Sequence, residues 1–119
     1  MKKKITLLMI FCMLLSFVNA CTFFKKPIDR RSGFSNHLEE TEACIRKEDW
    51  ENAAVKLRKS QKTWKQIKPL FQIDIDHDYV NDIEHHFIQL QAYIETEDKS
   101  NALATIFLLQ ENWGKISQM

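Results

Sequence analysis

Apolar residues recur at helical spacing through most of the chain beyond residue 34, and this period predicts four α-helices. We expect the first helix over roughly residues 35–47, the second over about 50–68, the third from near Asp76–Asp78 and the fourth after Asp98. The connections within each pair of helices are short, and short connections make neighbouring helices antiparallel. The predicted fold class is therefore all-α, either a four-helix antiparallel bundle or two stacked αα-hairpins.

Polar and helix-breaking residues mark the ends of these predicted helices. Ser35, Asp49 and Asp98 are the expected N-caps of the first, second and fourth helices. The second helix is expected to stop before Pro69, because proline disfavours a helical conformation at the residue before it. The expected core consists of the residues at helical spacing: Leu38, Thr41 and Ile45; Trp50, Ala53, Ala54, Leu57, Trp64 and Ile67; Tyr79 or Val80, Ile83, Phe87, Leu90 and Ile94; Ala102, Leu103, Ile106, Leu109, Trp113 and Ile116.

The second half of the chain repeats the first with an offset of 49 residues. Residues 45–67 align with residues 94–116 without a gap, and eight of these 23 positions are identical. The shared positions include a Glu-Asp pair before the longer helix and a Gln-x-x-Trp motif near its end. A fixed period of this length is typical of a repeated supersecondary unit, so we interpret each unit as one helical hairpin.

Residues 1–20 have the three-part layout of a secretory signal. Three lysines precede an apolar run, and the sequence Val18-Asn19-Ala20-Cys21 resembles the lipobox of bacterial lipoproteins. In that family the cysteine becomes the first mature residue and bears the lipid, which makes Cys21 the expected lipidation site. An uncleaved helix over Ile5–Phe24 is the alternative, because a bilayer-spanning helix needs about 20 apolar residues. A signal that is cleaved without lipidation is a third possibility.

Both forms of anchor predict a domain on the extracytoplasmic face of the cell membrane, because clustered lysines stay inside. The predicted organisation is a lipoprotein-type signal peptide over residues 1–20, a basic membrane-proximal spacer over residues 21–34 and a helical domain over residues 35–119. Cys44 is the only cysteine of that domain, so no internal disulfide is expected.

Composition excludes several classes of protein. The chain has 119 residues, enough for one small domain, and its two glycines and two prolines are too few for a barrel or a glycine-rich phosphate loop. There is no nucleophile elbow and no metalloprotease histidine pair, so we predict neither an enzyme nor a cofactor. The net charge of +1 combines a basic stretch over residues 21–72 with an acidic one over residues 73–119.

Basic residues form the first candidate surface. They are expected to attract anionic membrane or wall polymers, and an ordinary solvated surface is the alternative. Nucleic acid is not an expected partner, because no aromatic residue interleaves the basic face. The residues are Lys25, Lys26, Arg30 and Arg31 in the spacer and Arg58, Lys59, Lys62 and Lys65 on one face of the second helix.

Two further candidate sites are an apolar pair on the fourth helix and a group of possible metal ligands on the third. Phe107 and Leu108 stand where the first repeat has two cations, so the fourth helix is either buried on two sides or offers a surface to a protein partner. His77, Asp78 and His85 near the start of the third helix could hold zinc or copper, or could be ordinary solvated side chains.

A series of motifs from Trp50 onward resembles one bacterial family of unknown function. The motifs are Trp50-Ala53, Trp64-Lys65-Lys68, Asp76-His77, Asp82-Ile83-Glu84, Tyr93-Ile94-Thr96-Asp98-Lys99-Ser100, Ala102-Leu103-Ala104-Ile106 and Leu108-Leu109. The family is catalogued as domain of unknown function 4363, and the resemblance covers roughly residues 35–118. It implies a short N-terminal membrane anchor followed by an all-helical domain, and it implies no activity.

The expected function is a non-catalytic binding or scaffolding module of the bacterial cell envelope. A metal-binding surface lipoprotein and a purely structural domain that forms homo-oligomers are the alternatives.

Overall fold

The computed structural model describes residues 1–7, 9–10, 25–73 and 77–118. The described residues contain no β-strand, which confirms the all-α fold class. Residues 2–7 are helical. From residue 25 onward the chain forms α1 (Lys25–Ser32), α2 (Phe34–Arg46), α3 (Trp50–Phe71), α4 (His77–Glu95) and α5 (Lys99–Gln118).

The four longer helices form one closed antiparallel bundle. Helix α2 packs on α3 and α4 packs on α5, and the two hairpins close a ring because α2 also contacts α5 and α3 contacts α4. Both hairpin turns lie at one end, where the carboxylate of Glu48 is 3.8 Å from the ammonium of Lys99. We name this the turn end. Helix α1 contacts α2, α3 and α5 at the opposite end, which we name the α1 end.

The two hairpin turns have matching hydrogen bonds at the offset of 49 residues. Glu48 and Glu97 both adopt the left-handed backbone conformation, with φ of 57° and 55°. Each ends its helix in a Schellman motif, whose two backbone hydrogen bonds recur in both turns. Asp49 and Asp98 then accept the backbone N–H of the asparagine three residues on, at 3.3 and 3.2 Å. The predicted N-caps of the second and fourth helices are therefore confirmed.

Every core position predicted from the helical period is buried or half-buried. The half-buried ones are Trp50, Ala54, Tyr79 and Leu103. Five aromatic residues meet towards the α1 end, with Phe34 in their middle: its ring centroid lies 4.8 Å from that of Trp113 and 5.8 Å from that of Trp64. Phe87 and Phe71 complete this aromatic cluster. Each such pair stabilises the fold by about 0.5–1.5 kcal/mol beyond its buried area.

The start of α2 differs from the prediction. The helix begins at Phe34 after Gly33, whose φ is 67°, so Ser35 is not the N-cap. Instead the carboxylate of Asp29 in α1 accepts the backbone N–H of Ser35 at 3.1 Å and its hydroxyl at 2.9 Å. Phe34 is fully buried, and Ile28 packs against the core. Part of the segment interpreted as a spacer thus packs on the bundle.

The end of α3 also differs, because Pro69 lies inside the helix. A proline in the helix interior costs about 3 kcal/mol, because it lacks the N–H that would bond to the carbonyl four residues earlier and its ring crowds that carbonyl. Pro69 lies in the last turn, so any bend displaces only the two helical residues that follow it. Two residues later Phe71 is only 2% exposed and its ring lies 5.5 Å from that of Trp113. Burying such a side chain contributes about 1.5–3 kcal/mol, which offsets most of the cost of extending the helix past proline.

Candidate functional site

The outer face of α5 is accessible. Phe107 and Leu108 are 44% and 47% exposed, so the interpretation of this helix as buried on two sides is wrong. The buried residues Ala102, Ile106 and Leu109 lie on the opposite face, and only that face enters the core. Two neighbouring apolar side chains are therefore presented to solvent at the middle of α5.

Arginine and glutamate from α2 border this apolar pair. The guanidinium carbon of Arg46 lies 5.5 Å from the centroid of the Phe107 ring, within the range of a cation–π interaction. Glu42 pairs with Arg46 at 2.9 Å and accepts a hydrogen bond from the amide of Gln110 at 3.0 Å. These contacts hold Phe107 on the side of α5 that faces α2.

A groove of about 500 Å³ runs between α2 and α5 towards the α1 end. Its lining is Ser35, Leu38, Glu39, Glu42, Gln110, Trp113, Gly114 and Ser117. A Cβ atom placed on Gly114 would meet nothing within 4 Å, so a small side chain at this position would fit in the groove. The groove continues along α5 from the exposed apolar pair, and its lining is polar and acidic.

Four cations on α3 form what we name the basic stripe: Arg58, Lys59, Lys62 and Lys65. All four are exposed, and none makes an ion pair in the part of the chain that the structure describes. The lysines on either side of them are engaged, since Lys56 pairs with Glu40 at 2.8 Å and Lys68 pairs with Glu84. The stripe therefore has a positive charge that the bundle itself leaves uncompensated. Arg30 and Arg31 of α1 are exposed as well.

Cations of α3 shift the pKa values of two titratable groups on α2. Burial lowers the pKa of His37, and the positive charge of Lys59 lowers it further. The hydrogen bond from Lys56 lowers the pKa of the Glu40 carboxyl. The positive field of α3 thus reaches α2 and disfavours a second positive charge there.

The candidate metal ligands do not converge. His77 and His85 are both exposed on α4, and eight residues of helix separate them by about 12 Å along the axis. Zinc holds imidazole nitrogens at about 2.0–2.1 Å, so the two rings on this helix are too far apart for one ion. Among the described residues no three His, Cys, Asp or Glu side chains come together in a way that could hold a metal ion.

The anchor segment lies largely outside the described residues. This applies to Cys21, the expected lipidation site, and to the side chains of Lys25 and Lys26. Within the described ranges, no helix has the length and the apolar character that crossing a bilayer requires.

Sequence reasoning missed a polar cluster at the α1 end. The indole N–H of Trp113 donates to the hydroxyl of Ser35 at 2.9 Å, and its distance to the carboxylate of Asp29 is 3.2 Å. A buried indole N–H needs a hydrogen-bond acceptor. The predicted burial of Trp113 was therefore the one signal in the sequence that a polar side chain, such as Ser35 or Asp29, would lie beside it.

Comparison with known proteins gives a family but no characterised relative. No curated protein matches the chain, and no solved structure matches it. A family model described as Domain of unknown function (DUF4363) matches residues 27–119, which is most of the chain and includes α2 to α5 in full. The chain therefore belongs to the DUF4363 family.

Proposed function

We propose that the protein is a non-catalytic binding module, anchored at the extracytoplasmic face of the bacterial cell membrane, that holds a protein partner through the outer face of α5. The observation that supports a binding role is the exposed pair Phe107 and Leu108. The opposite face of the same helix already packs in the core of the bundle. Adjacent exposed apolar side chains of this size favour contact with another protein.

Comparison of the two repeats strengthens this proposal. At the equivalent positions of α3 the chain has Arg58 and Lys59, which are ordinary residues for a solvated helix surface. The two hairpins share their turns and bury the same positions, although some of the buried residues differ: Ser60 corresponds to Leu109 and Thr41 to Leu90. Arg46 lies over the ring of Phe107, whereas burial in the bundle does not account for Leu108, so a partner explains this exposed leucine better than the fold does.

The anchor is supported by the first 21 residues alone. A lysine cluster, an apolar run and a cysteine after Ala20 form the pattern of a lipoprotein signal. Mass measurement of the mature N-terminus tests this part of the proposal. A diacylated Cys21 supports lipidation, an intact Met1 supports the uncleaved helix, and a chain recovered without lipid in the soluble cytoplasmic fraction contradicts both anchors.

Photocrosslinking in intact cells tests the binding role. A photoreactive amino acid in place of Leu108 is expected to give one defined adduct, and the same probe at Gln89, an exposed position on α4, is the matched control. Leu108→Glu should retain the helical fold and lose the partner. An adduct of twice the chain mass would support the self-associating alternative, and equal, diffuse crosslinking from both positions would contradict a specific surface.

A further inference from the structure

Exposed aliphatic side chains occur where α3 ends. Leu70 is 62% exposed and Ile73 is 89% exposed, although Phe71 between them is buried in the aromatic cluster. Phe71 contacts Trp113, which in turn hydrogen-bonds to Ser35 beside α1. The two aliphatic residues are therefore held at the α1 end of the bundle, next to the helix that follows the anchor segment.

Cations without an ion-pair partner among the described residues also lie towards the α1 end. The basic stripe descends α3 from Arg58 to Lys65, and Lys65 is about 7.5 Å above Leu70 along the helix axis. Arg30 and Arg31 on α1 are also exposed and make no ion pair among the described residues. Interfacial membrane binding has two features: aliphatic side chains enter the headgroup region, and nearby lysines and arginines contact anionic lipids.

The turn end has the opposite character. Six carboxylates and three cations lie in and beside the two turns: Glu48, Asp49, Glu51, Glu95, Glu97 and Asp98 against Arg46, Lys47 and Lys99. An anionic lipid surface repels this end more strongly than the α1 end, where four cations, Arg30, Arg31, Lys62 and Lys65, outnumber the two exposed acids of the first turns of α4, Asp78 and Asp82. The charge distribution of the bundle therefore favours a single orientation at such a surface.

The anchor brings the α1 end close to the lipid. Three residues lie between Cys21 and Lys25, where α1 begins, so the two Cα atoms are at most about 14 Å apart. From this arrangement, and resting on the anchor of the proposed function, we propose that the bundle docks on anionic phospholipid headgroups through its α1 end, with Leu70 and Ile73 in the interface and the lower half of the basic stripe, Lys62 and Lys65, nearest the headgroups.

Cysteine accessibility on the full chain tests this docking. The chain is reconstituted into vesicles of phosphatidylglycerol with phosphatidylcholine, or of phosphatidylcholine alone, and treated with a membrane-impermeant maleimide. Labelling of the Ile73→Cys variant is followed by mass spectrometry of its peptide, so that the native cysteines do not contribute. We expect labelling about fivefold or more slower in the anionic vesicles, since each cation near such a surface contributes about that factor in binding.

Two matched variants separate docking from other causes. Ile88→Cys, 69% exposed near the middle of α4, should react at the same rate in both kinds of vesicle. Lys62→Glu combined with Lys65→Glu should restore fast labelling at residue 73, and so should 1 M salt, which shortens the Debye length to about 3 Å.

Each outcome decides one proposal. Equal labelling of Ile73→Cys in both lipid compositions, on chains that stay with the vesicles, overturns the docking and leaves the anchor standing. Slower labelling at both residue 73 and residue 88 also overturns it. Protection of residue 88, near the middle of α4, would indicate that a second copy of the chain or a protein partner covers the side of the bundle. Loss of the native chain from the membrane fraction of cells refutes the anchor itself, whatever the labelling shows.

Discussion

The indole rings of Trp64 and Trp113 meet edge to face in the core, with centroids 6.4 Å apart and an interplanar angle of 86°. They occupy equivalent positions in the two hairpins, but their N–H groups differ. Trp113 donates to Ser35, whereas the buried N–H of Trp64 has no acceptor among the described residues. The cause is α1, whose Asp29 completes the polar cluster around Trp113.

This difference predicts unequal costs for the same substitution. Trp113→Phe breaks a hydrogen bond and leaves the Asp29 and Ser35 side chains short of a donor, while Trp64→Phe removes a donor that has no acceptor. Both variants lose the same side-chain volume. We expect Trp113→Phe to reduce the free energy of unfolding by about 1–3 kcal/mol more than Trp64→Phe in urea denaturation. Equal losses would contradict the role of the Asp29 cluster.

The turn geometry predicts a stabilising substitution. Glu97 has φ of 55°, a conformation that costs a residue with a side chain about 1–2 kcal/mol and that glycine adopts freely. We expect Glu97→Gly to raise the free energy of unfolding by about 0.5–1 kcal/mol after the entropy cost of glycine. Glu97→Ala is the control, because it removes the carboxylate and keeps the strained backbone. A gain with alanine as large as that with glycine would assign the effect to charge.

Burial of His37 predicts a loss of stability in acid. Its pKa is lowered in the folded state, so the unfolded chain binds more protons and stability rises with pH. The contribution is fully present above the ordinary histidine pKa of 6.5 and falls as the pH drops below it. Urea denaturation at pH 7.5 and pH 5.5 should show a smaller difference for His37→Gln than for the native chain.

Lys59→Gln is a useful second variant for the same measurement. Lys59 is the charged group that contributes most to lowering the pKa of His37, after burial itself. Its removal should weaken the pH dependence without abolishing it. An unchanged pH dependence in both variants would show that other groups govern the acid response.

Adjacent residues on α5 are expected to tolerate change very differently. Leu108 is 47% exposed and Leu109 is fully buried. Leu108→Glu should alter the free energy of unfolding by no more than about 0.5 kcal/mol, whereas Leu109→Ala should cost about 2–5 kcal/mol because it opens a cavity in the core. Thermal and urea denaturation of the two variants measure this contrast, and a large loss in Leu108→Glu would place that residue in the core.

The local features of this protein follow from its sequence alone. The helical period located α2 to α5 within a few residues, the acidic N-caps located both turns, and the 49-residue repeat anticipated that Glu48 and Glu97 would be equivalent. Each of these features depends on residues close together in the chain, because backbone capping and helix amphipathicity are set within one or two turns.

How the helices pack together depends on contacts between residues far apart in the chain. Closure of the bundle through α2 and α5, the place of Phe34 in the core and the capping of α2 by Asp29 all join residues whose contact depends on which helices become neighbours. The same applies to Phe107 and Leu108, whose apolar character alone allowed either burial or exposure. Periodicity identifies the face of a helix that is buried, but the number of helices packed around it decides how much surface is left to solvent.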